Sequence, residues 1–164
     1  MKDLFKQYNK KDLKDLFRYG ILRVEEIENP SVYNGKLGMT IIFYEYSRYS
    51  GDMLYEEFAD DILDSVLELS SDLPFYFSNG LIGICWGITY LLREKFIDGN
   101  IDNILFELDE KLSKIDTSNK KILKDYMCYL IIRKNITRKK LHNYLYDEKK
   151  ILENIWNSCL IKKM

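Results

Sequence analysis

The sequence predicts an all-α protein built from stacked helical hairpins. Apolar residues recur at helical spacing along most of its 164 residues. Only Pro30 and Pro74 interrupt the chain, which suits long helices and weighs against a β fold rich in turns. In addition, the order of loop, buried helix and amphipathic helix occurs twice, which is typical of helical repeats.

The composition indicates a folded protein. Hydrophobic residues make up 46% of the chain and charged residues 31%, proportions typical of globular domains. No apolar run approaches the roughly 18 residues that a membrane-spanning helix needs. The N-terminus also lacks the apolar core of a signal peptide, so we expect a cytoplasmic protein without membrane contact. Its three cysteines form no Cys-x-x-Cys motif and predict no disulfide framework.

Within an expected single domain over 1–164, residues 1–30 are predicted to form an N-terminal helical cap. The apolar positions predict a helix over 2–28, with Gly20 as the position at which it divides in two. Asn29-Pro30 is expected to end this helix, because a residue that precedes proline avoids the helical conformation.

Residues 31–115 contain two repeats. In the first, a loop leads into a helix over 36–50 that is apolar on nearly every side, which is typical of a buried helix. After a break at Ser50-Gly51-Asp52, residues 53–70 combine an apolar stripe with an acidic face. This second helix is therefore expected to pack outside the first, with its acids in solvent.

The second repeat follows the same order. A loop over 74–80 leads into an almost wholly apolar helix over 81–93, and Asp98-Gly99-Asn100 then breaks the chain. Residues 100–114 form the second amphipathic helix. We expect the helices over 36–50 and 81–93 to be the most buried, with their amphipathic partners outside them.

A glycine motif opens both buried helices, and its two copies are 45 residues apart. It consists of Asn34, Gly35 and Gly38 in the first repeat, and of Asn79, Gly80 and Gly83 in the second. The first glycine is expected to adopt a positive φ where the loop turns into the helix. The second glycine is expected to let a neighbouring backbone approach the first turn of the helix. A glycine inside a helix costs about 1 kcal/mol of stability relative to alanine, so its presence at equivalent places in both repeats indicates a packing role.

Residues 116–164 are expected to hold an eroded third repeat and a basic helical tail. Residues 119–134 have a helical apolar stripe but no glycine motif, and 137–146 and 148–161 are predicted to be two short helices. In the last of these, Ile151, Leu152, Ile155, Trp156 and Cys159 are expected to face inward.

Charge is distributed unevenly over a chain whose net charge is −1. Residues 1–50 carry +2, residues 51–116 carry −11 and residues 117–164 carry +8. The two strongly charged stretches either cover each other or leave a basic end that binds an anionic peptide or another protein. The tail contains no recognised nucleic-acid motif, so nucleic acid is not the expected partner.

The two repeats resemble those of the lanthionine synthetase C-like family, the lanthipeptide cyclases. The resemblance covers about residues 31–112 and rests on the glycine motif together with Phe43-Tyr44-Glu45-Tyr46 and Cys85-Trp86-Gly87-Ile88. It implies an α/α toroid, in which the buried helices form an inner ring and the amphipathic helices an outer ring. Because a complete toroid of this family is over twice as long as this chain, we expect a partial toroid.

The resemblance does not supply catalytic residues. The family's enzymes hold a catalytic zinc with two cysteines and a histidine of their later repeats, which have no counterpart here. Cys85, Cys128 and Cys159 lie on apolar stripes and are expected to be core thiols. His142 is the single histidine and is expected to be exposed on a helix. We therefore expect no catalytic residue, no metal site and no cofactor.

The candidate binding residues are aromatic. In a toroid, the loops at one end of the inner helices surround the cavity, where aromatic rings contribute much binding energy. The alternative is that the same rings cap the core, which is the commoner role of such residues. The candidates for contact with a peptide or a protein partner are Tyr33, Phe75, Tyr76, Phe77, Trp86 and Tyr90.

These observations favour a non-catalytic relative of the lanthipeptide cyclases that binds a precursor peptide or a maturation enzyme. Two other hypotheses remain open at this point. The chain could form part of a zinc-dependent cyclase that a partner chain completes, or it could be a helical scaffold unrelated to peptide chemistry. A second copy of the chain is a further candidate partner, because an arc of hairpins leaves an apolar end that a homodimer would cover.

Overall fold

The computed structural model describes residues 1–68, 73–134 and 147–161. These residues form helices and connecting loops and contain no strand, which confirms the all-α class. Every helix in these ranges is too short or too polar to cross a membrane. The helices are, in chain order, α1 (Lys2–Phe5), α2 (Lys10–Val24), α3 (Lys36–Ser50), α4 (Leu54–Leu67), α5 (Leu81–Arg93), α6 (Ile101–Ile104), α7 (Phe106–Ser113), α8 (Lys120–Arg133), α9 (Glu148–Trp156) and a terminal π-helix (Asn157–Ile161).

The chain divides into two compact units. Unit 1 contains Met1–Leu69 and Asp147–Met164, and unit 2 contains Ser70–Tyr146. The predicted tail is therefore divided, since α8 belongs to unit 2 whereas α9 and the π-helix belong to unit 1. The predicted single domain and the partial toroid both stay predictions.

Helix α3 is the centre of unit 1. Every residue from Leu37 to Ser47 is buried, as the all-round apolar pattern predicts. Helices α1, α2, α4 and α9 all pack against α3, and α4 makes the most extensive contact. Thus the predicted pair of a buried helix and an outer amphipathic helix is confirmed in this unit.

The N-terminal helix is interrupted at a different place from the one predicted. The break lies between α1 and α2, where the side chain of Asn9 accepts a hydrogen bond from the backbone N–H of Asp12 and so caps α2. Gly20, the predicted point of division, lies inside α2. A Cβ there would come within 3.1 Å of both Leu160 and Met39, so this glycine serves close packing rather than a break.

Helix α9 and the π-helix complete the core of unit 1 around α1, α2 and α3. The five residues predicted to face inward from 148–161 are all buried, and Trp156 packs against Phe5 and Phe17. The π-helix brings Ser158 and Cys159 onto the loop that precedes α3. There Ser158 Oγ accepts from the N–H of Asn34 at 3.3 Å, which links two segments far apart in sequence. The helix predicted over 137–146 lies outside the described residues.

Helix α5 is the centre of unit 2, and every residue from Leu81 to Leu91 is buried. Its most extensive contact is with α8, and its contact with α7 is smaller. The predicted outer helix over 100–114 is divided into α6 and α7 at Leu105, whose side chain is fully buried. The main partner of α5 is therefore α8, which lies in the segment predicted to be an eroded third repeat, whereas in unit 1 the main partner of α3 is the helix that directly follows it.

The loops before α3 and α5 are closed by the same hydrogen bond. The N–H of Lys36 donates to the carbonyl of Asn29, and the N–H of Leu81 donates to that of Pro74, each at 2.8 Å. Both donor and acceptor are shifted by the 45-residue offset of the glycine motif. The repeat seen in the sequence is thus also a repeat of backbone geometry.

The first glycine of the motif is required for a reason other than the one predicted. Gly35 has φ −130° and Gly80 has φ −150°, which any residue can adopt. A Cβ on Gly35 would overlap the carbonyl oxygen of Ser31, and one on Gly80 would overlap that of Pro74. The positive φ of this turn belongs instead to Asn34, at 53°.

The second glycine of the first repeat has the predicted role. A Cβ on Gly38 would overlap the carbonyl oxygen of Val32 and lie 2.7 Å from Cys159 Sγ. Gly38 therefore allows both its own loop and the π-helix to approach the first turn of α3. Gly83 is buried in the first turn of α5, and its close-contact role stays a prediction.

Candidate functional site

Three of the six aromatic candidates belong to the core of unit 2. Phe77, Trp86 and Tyr90 are 2%, 2% and 3% exposed. Trp86 stacks on Tyr90 with ring centroids 5.4 Å apart, and Phe77 meets Trp86 edge-on at 5.7 Å. These rings have the core-capping role that was the alternative interpretation, and a direct contact between them and a partner stays a prediction.

The other three aromatic candidates are more accessible. Phe75 is 37% exposed, and Tyr33 and Tyr76 are half-buried. The ammonium of Lys121 lies 4.8 Å from the centroid of the Tyr76 ring, a cation–π contact that holds this loop against α8. The turn residue Asn79 is exposed beside them. Only this loop and Tyr33 present predicted binding residues to solvent.

The three cysteines are buried, as predicted. Burial raises the pKa of the Cys85 thiol far above its usual range, and it raises the pKa of Cys128 to about 12. Both groups are therefore neutral thiols at physiological pH, whereas the thiolate is the reactive form of cysteine. In the part of the chain that the structure describes, no group of three or more His, Cys, Asp or Glu residues could hold a metal ion. His142 lies outside that part.

A polar cluster in unit 2 joins three helices. Asp109 of α7 accepts from the hydroxyl of Tyr129 and from Nε and Nη2 of Arg133, the last two at 3.1 and 2.9 Å. Arg133 also donates to Asp102 of α6 at 2.6 Å. Paired contacts between a guanidinium and carboxylates are strong and directional. The cluster consequently fastens α6 and α7 to α8.

Two buried tyrosines make the stability of the protein depend on pH. The hydroxyl of Tyr44 donates to Asp60 in unit 1, and the hydroxyl of Tyr129 donates to Asp109 in unit 2. Burial, followed by the hydrogen bond to an aspartate, raises the pKa of Tyr44 and of Tyr129 well above the usual 10.0. The folded protein thus favours the protonated phenols. The stability that they contribute is complete below about pH 10 and is lost as the pH rises towards the folded pKa.

We expect the free energy of unfolding to fall as the pH rises above about 10, by at most about 1.4 kcal/mol per pH unit for each tyrosine. Urea denaturation at several pH values measures this slope. Tyr129→Phe should reduce the slope, and a Tyr49→Phe variant at an exposed ring controls for the loss of a hydroxyl. Equal slopes in the two variants would contradict the assignment.

The groove of unit 1, lined by residues of α2, α3 and α4, is a candidate binding site among the described residues. Its volume is about 230 Å³. Its apolar surface comes from Ile21 and Val24 of α2 and from Phe58 and Ile62 of α4. Its polar lining consists of Glu25, Lys36, Asp61 and Ser65. An apolar floor with a few polar groups at the edge is the usual composition of a ligand site.

The sequence analysis did not single out this groove. It assigned Asp61 to a solvated acidic face, and it gave Lys36 no role. One signal was present, because Phe58, Asp61, Ile62 and Ser65 share one side of a helix at spacings of three and four residues. Apolar and acidic side chains that alternate at this spacing are found where a helix meets solvent, and they are also found at the edge of a groove.

In comparisons with known proteins, no family model, curated protein or solved structure matches the chain. The resemblance to the lanthionine synthetase C-like family thus rests on the sequence motif alone and stays a prediction.

Proposed function

We propose that the protein is a non-catalytic relative of the lanthionine synthetase C-like proteins. In this proposal it acts in the cytoplasm, where it binds a precursor peptide or a maturation enzyme during the biosynthesis of a modified peptide. The observation that carries the proposal is the repeated loop before α3 and α5. Its glycine motif and its closing 2.8 Å hydrogen bond recur at the same offset, which supports the internal repeat on which the resemblance to that family is based.

The chemistry of the described residues supports binding rather than covalent chemistry. Cys85 and Cys128 are buried and held as neutral thiols, so neither is prepared to act as a nucleophile. The cluster around Asp109 is used to join helices. The groove of unit 1, in contrast, has exposed acids beside an apolar floor, and this combination suits a peptide.

The proposal is tested with a small peptide encoded beside the gene for this protein. Isothermal titration calorimetry should show saturable binding of that peptide, and a scrambled peptide of equal composition should not bind. Mass spectrometry should find the peptide unchanged after incubation with the purified protein. A covalent change made by the protein alone would overturn the proposal. So would stoichiometric zinc that is lost in a Cys128→Ser variant, because this would favour a cyclase completed by a partner chain.

A further inference from the structure

The groove of unit 1 has features that define the chemistry of its ligand. Its volume of about 230 Å³ lies below the roughly 300–1,000 Å³ of pockets that enclose a drug-sized molecule. It is therefore the right size for one or two side chains of a longer ligand. Phe58 is half-buried and Ile62 is almost fully buried, so Ile62 contributes to the floor and Phe58 keeps apolar surface that a ligand can contact.

The charge at the edge of this groove is mainly negative. Asp61 and Glu25 are exposed, and in the part of the chain that the structure describes neither forms an ion pair or a side-chain hydrogen bond. Lys36 is the single cation among the described lining residues. The segment from Leu54 to Glu68 contains no basic residue and carries six acids, namely Glu56, Glu57, Asp60, Asp61, Asp64 and Glu68.

The first turn of α3 does not offer an anion site in this groove. The backbone N–H groups of Lys36, Leu37 and Gly38 already donate to the carbonyls of Asn29, Pro30 and Ser31. An anionic ligand would consequently be repelled by Asp61 and Glu25, and no free backbone N–H group of this turn would offset that repulsion.

We propose that this groove binds a lysine or arginine side chain of a cationic, amphipathic peptide segment. The aliphatic stem of such a side chain lies along Phe58 and Ile62, and its charged head reaches Asp61 and Glu25 at the edge. Long basic side chains combine an apolar stem with a charged tip, which matches an apolar floor with an acidic edge. The ligand class rests on the proposed peptide-binding function, which it makes more specific.

The test uses short synthetic peptides of leucine and lysine with a fluorescent label, followed by fluorescence anisotropy. The matched probe replaces each lysine with glutamine. The wild-type protein should bind the lysine peptide and bind the glutamine peptide at least roughly tenfold more weakly, since two charge contacts are lost.

Two variants and a matched control locate the binding. The double variant Glu25→Gln with Asp61→Asn should weaken binding of the lysine peptide by roughly tenfold. The control double variant Asp98→Asn with Glu107→Gln removes the same charge at exposed positions of unit 2 and should leave affinity within about twofold. Ser65→Trp should also abolish binding, because it fills the groove without changing its charge. Circular dichroism confirms that each variant folds.

Three outcomes would overturn the inference. Equal weakening in the groove variant and the control would indicate nonspecific attraction to an acidic protein. Undiminished binding to Ser65→Trp would exclude the groove. A dimer that Ser65→Trp dissociates would show that a second copy of the chain occupies the groove.

The failure of this inference is distinguishable from the failure of the proposed function. If the gene-encoded peptide binds all groove variants with unchanged affinity, the proposed function stands and the groove is not the site. If the lysine peptide binds through the groove but the gene-encoded peptide does not bind, the inference stands and the proposed function fails.

Discussion

Replacing either Gly35 or Gly80 with alanine is expected to destabilise its unit by about 3 kcal/mol or more. The added Cβ would overlap the carbonyl oxygen of Ser31 in the first case and of Pro74 in the second. Neither oxygen belongs to a flexible side chain, so the loop itself must move. For Gly80, that movement also breaks the 2.8 Å bond from the N–H of Leu81 to Pro74. Thermal and urea denaturation followed by circular dichroism measure the loss.

A third glycine provides the control. Gly51 ends α3 with φ 74°, and a Cβ there would meet no atom within 4 Å. Gly51→Ala should thus cost about 1 kcal/mol through backbone strain alone. If Gly35→Ala and Gly80→Ala cost no more than Gly51→Ala, the close approach of loop and glycine in this structure is wrong.

The helices with the strongest patterns were predictable from sequence. The helices predicted over 36–50 and 81–93 agree with α3 and α5, because an apolar pattern on every side requires burial whatever packs around it. The N-terminal break was not predictable in the same way. The apolar spacing continues across residues 6–9, and the local cap by Asn9, rather than Gly20, decides where α2 begins.

The role of the glycine motif was predictable only in part. Its recurrence at a fixed offset indicated a structural constraint at Gly35 and Gly80. Sequence alone could not distinguish a positive φ from a close backbone approach, because both exclude side chains. The structure assigns the positive φ to Asn34 and the close approach to Gly35.

The groove of unit 1 depends on three helices, and this is why sequence patterns did not reveal it. The amphipathic pattern of α4 correctly places Ile62 inside and Asp61 outside. However, the pattern contains no information on which neighbours lie beyond that boundary. Val24 and Lys36 are far from Phe58 and Asp61 along the chain, and they come next to these residues only through the packing of α2 and α3 against α4.

The same limit applies to the tail. Its apolar stripe correctly predicted that Ile155 and Trp156 face inward, but not which helices receive them. In the structure Trp156 is 1% exposed, and its ring centroid lies 5.5 Å from that of Phe5 and 6.0 Å from that of Phe17. Helix α9 therefore completes a core that begins at α1.

Trp156→Ala is expected to reduce the free energy of unfolding by about 3–5 kcal/mol, the range for removal of a buried tryptophan. The loss combines the transfer of the indole from the core with a cavity next to Phe5, Phe17 and Tyr8. Chemical denaturation gives the total. Hydrogen exchange should show faster exchange of the backbone amides of α1, α2 and α9.

Phe106→Ala is the matched control, because this ring on α7 is 66% exposed. Its removal should change stability by no more than about 0.5 kcal/mol. A result for Trp156→Ala as small as that of the control would mean that the tail does not pack into unit 1. In that case one of the two contacts that require glycine at position 38 would be absent, since Cys159 could no longer lie against Gly38. The added Cβ of a Gly38→Ala variant would then overlap only the carbonyl oxygen of Val32. The stabilities of Trp156→Ala and Gly38→Ala together therefore measure how strongly the packing of the tail and that of the first loop depend on each other.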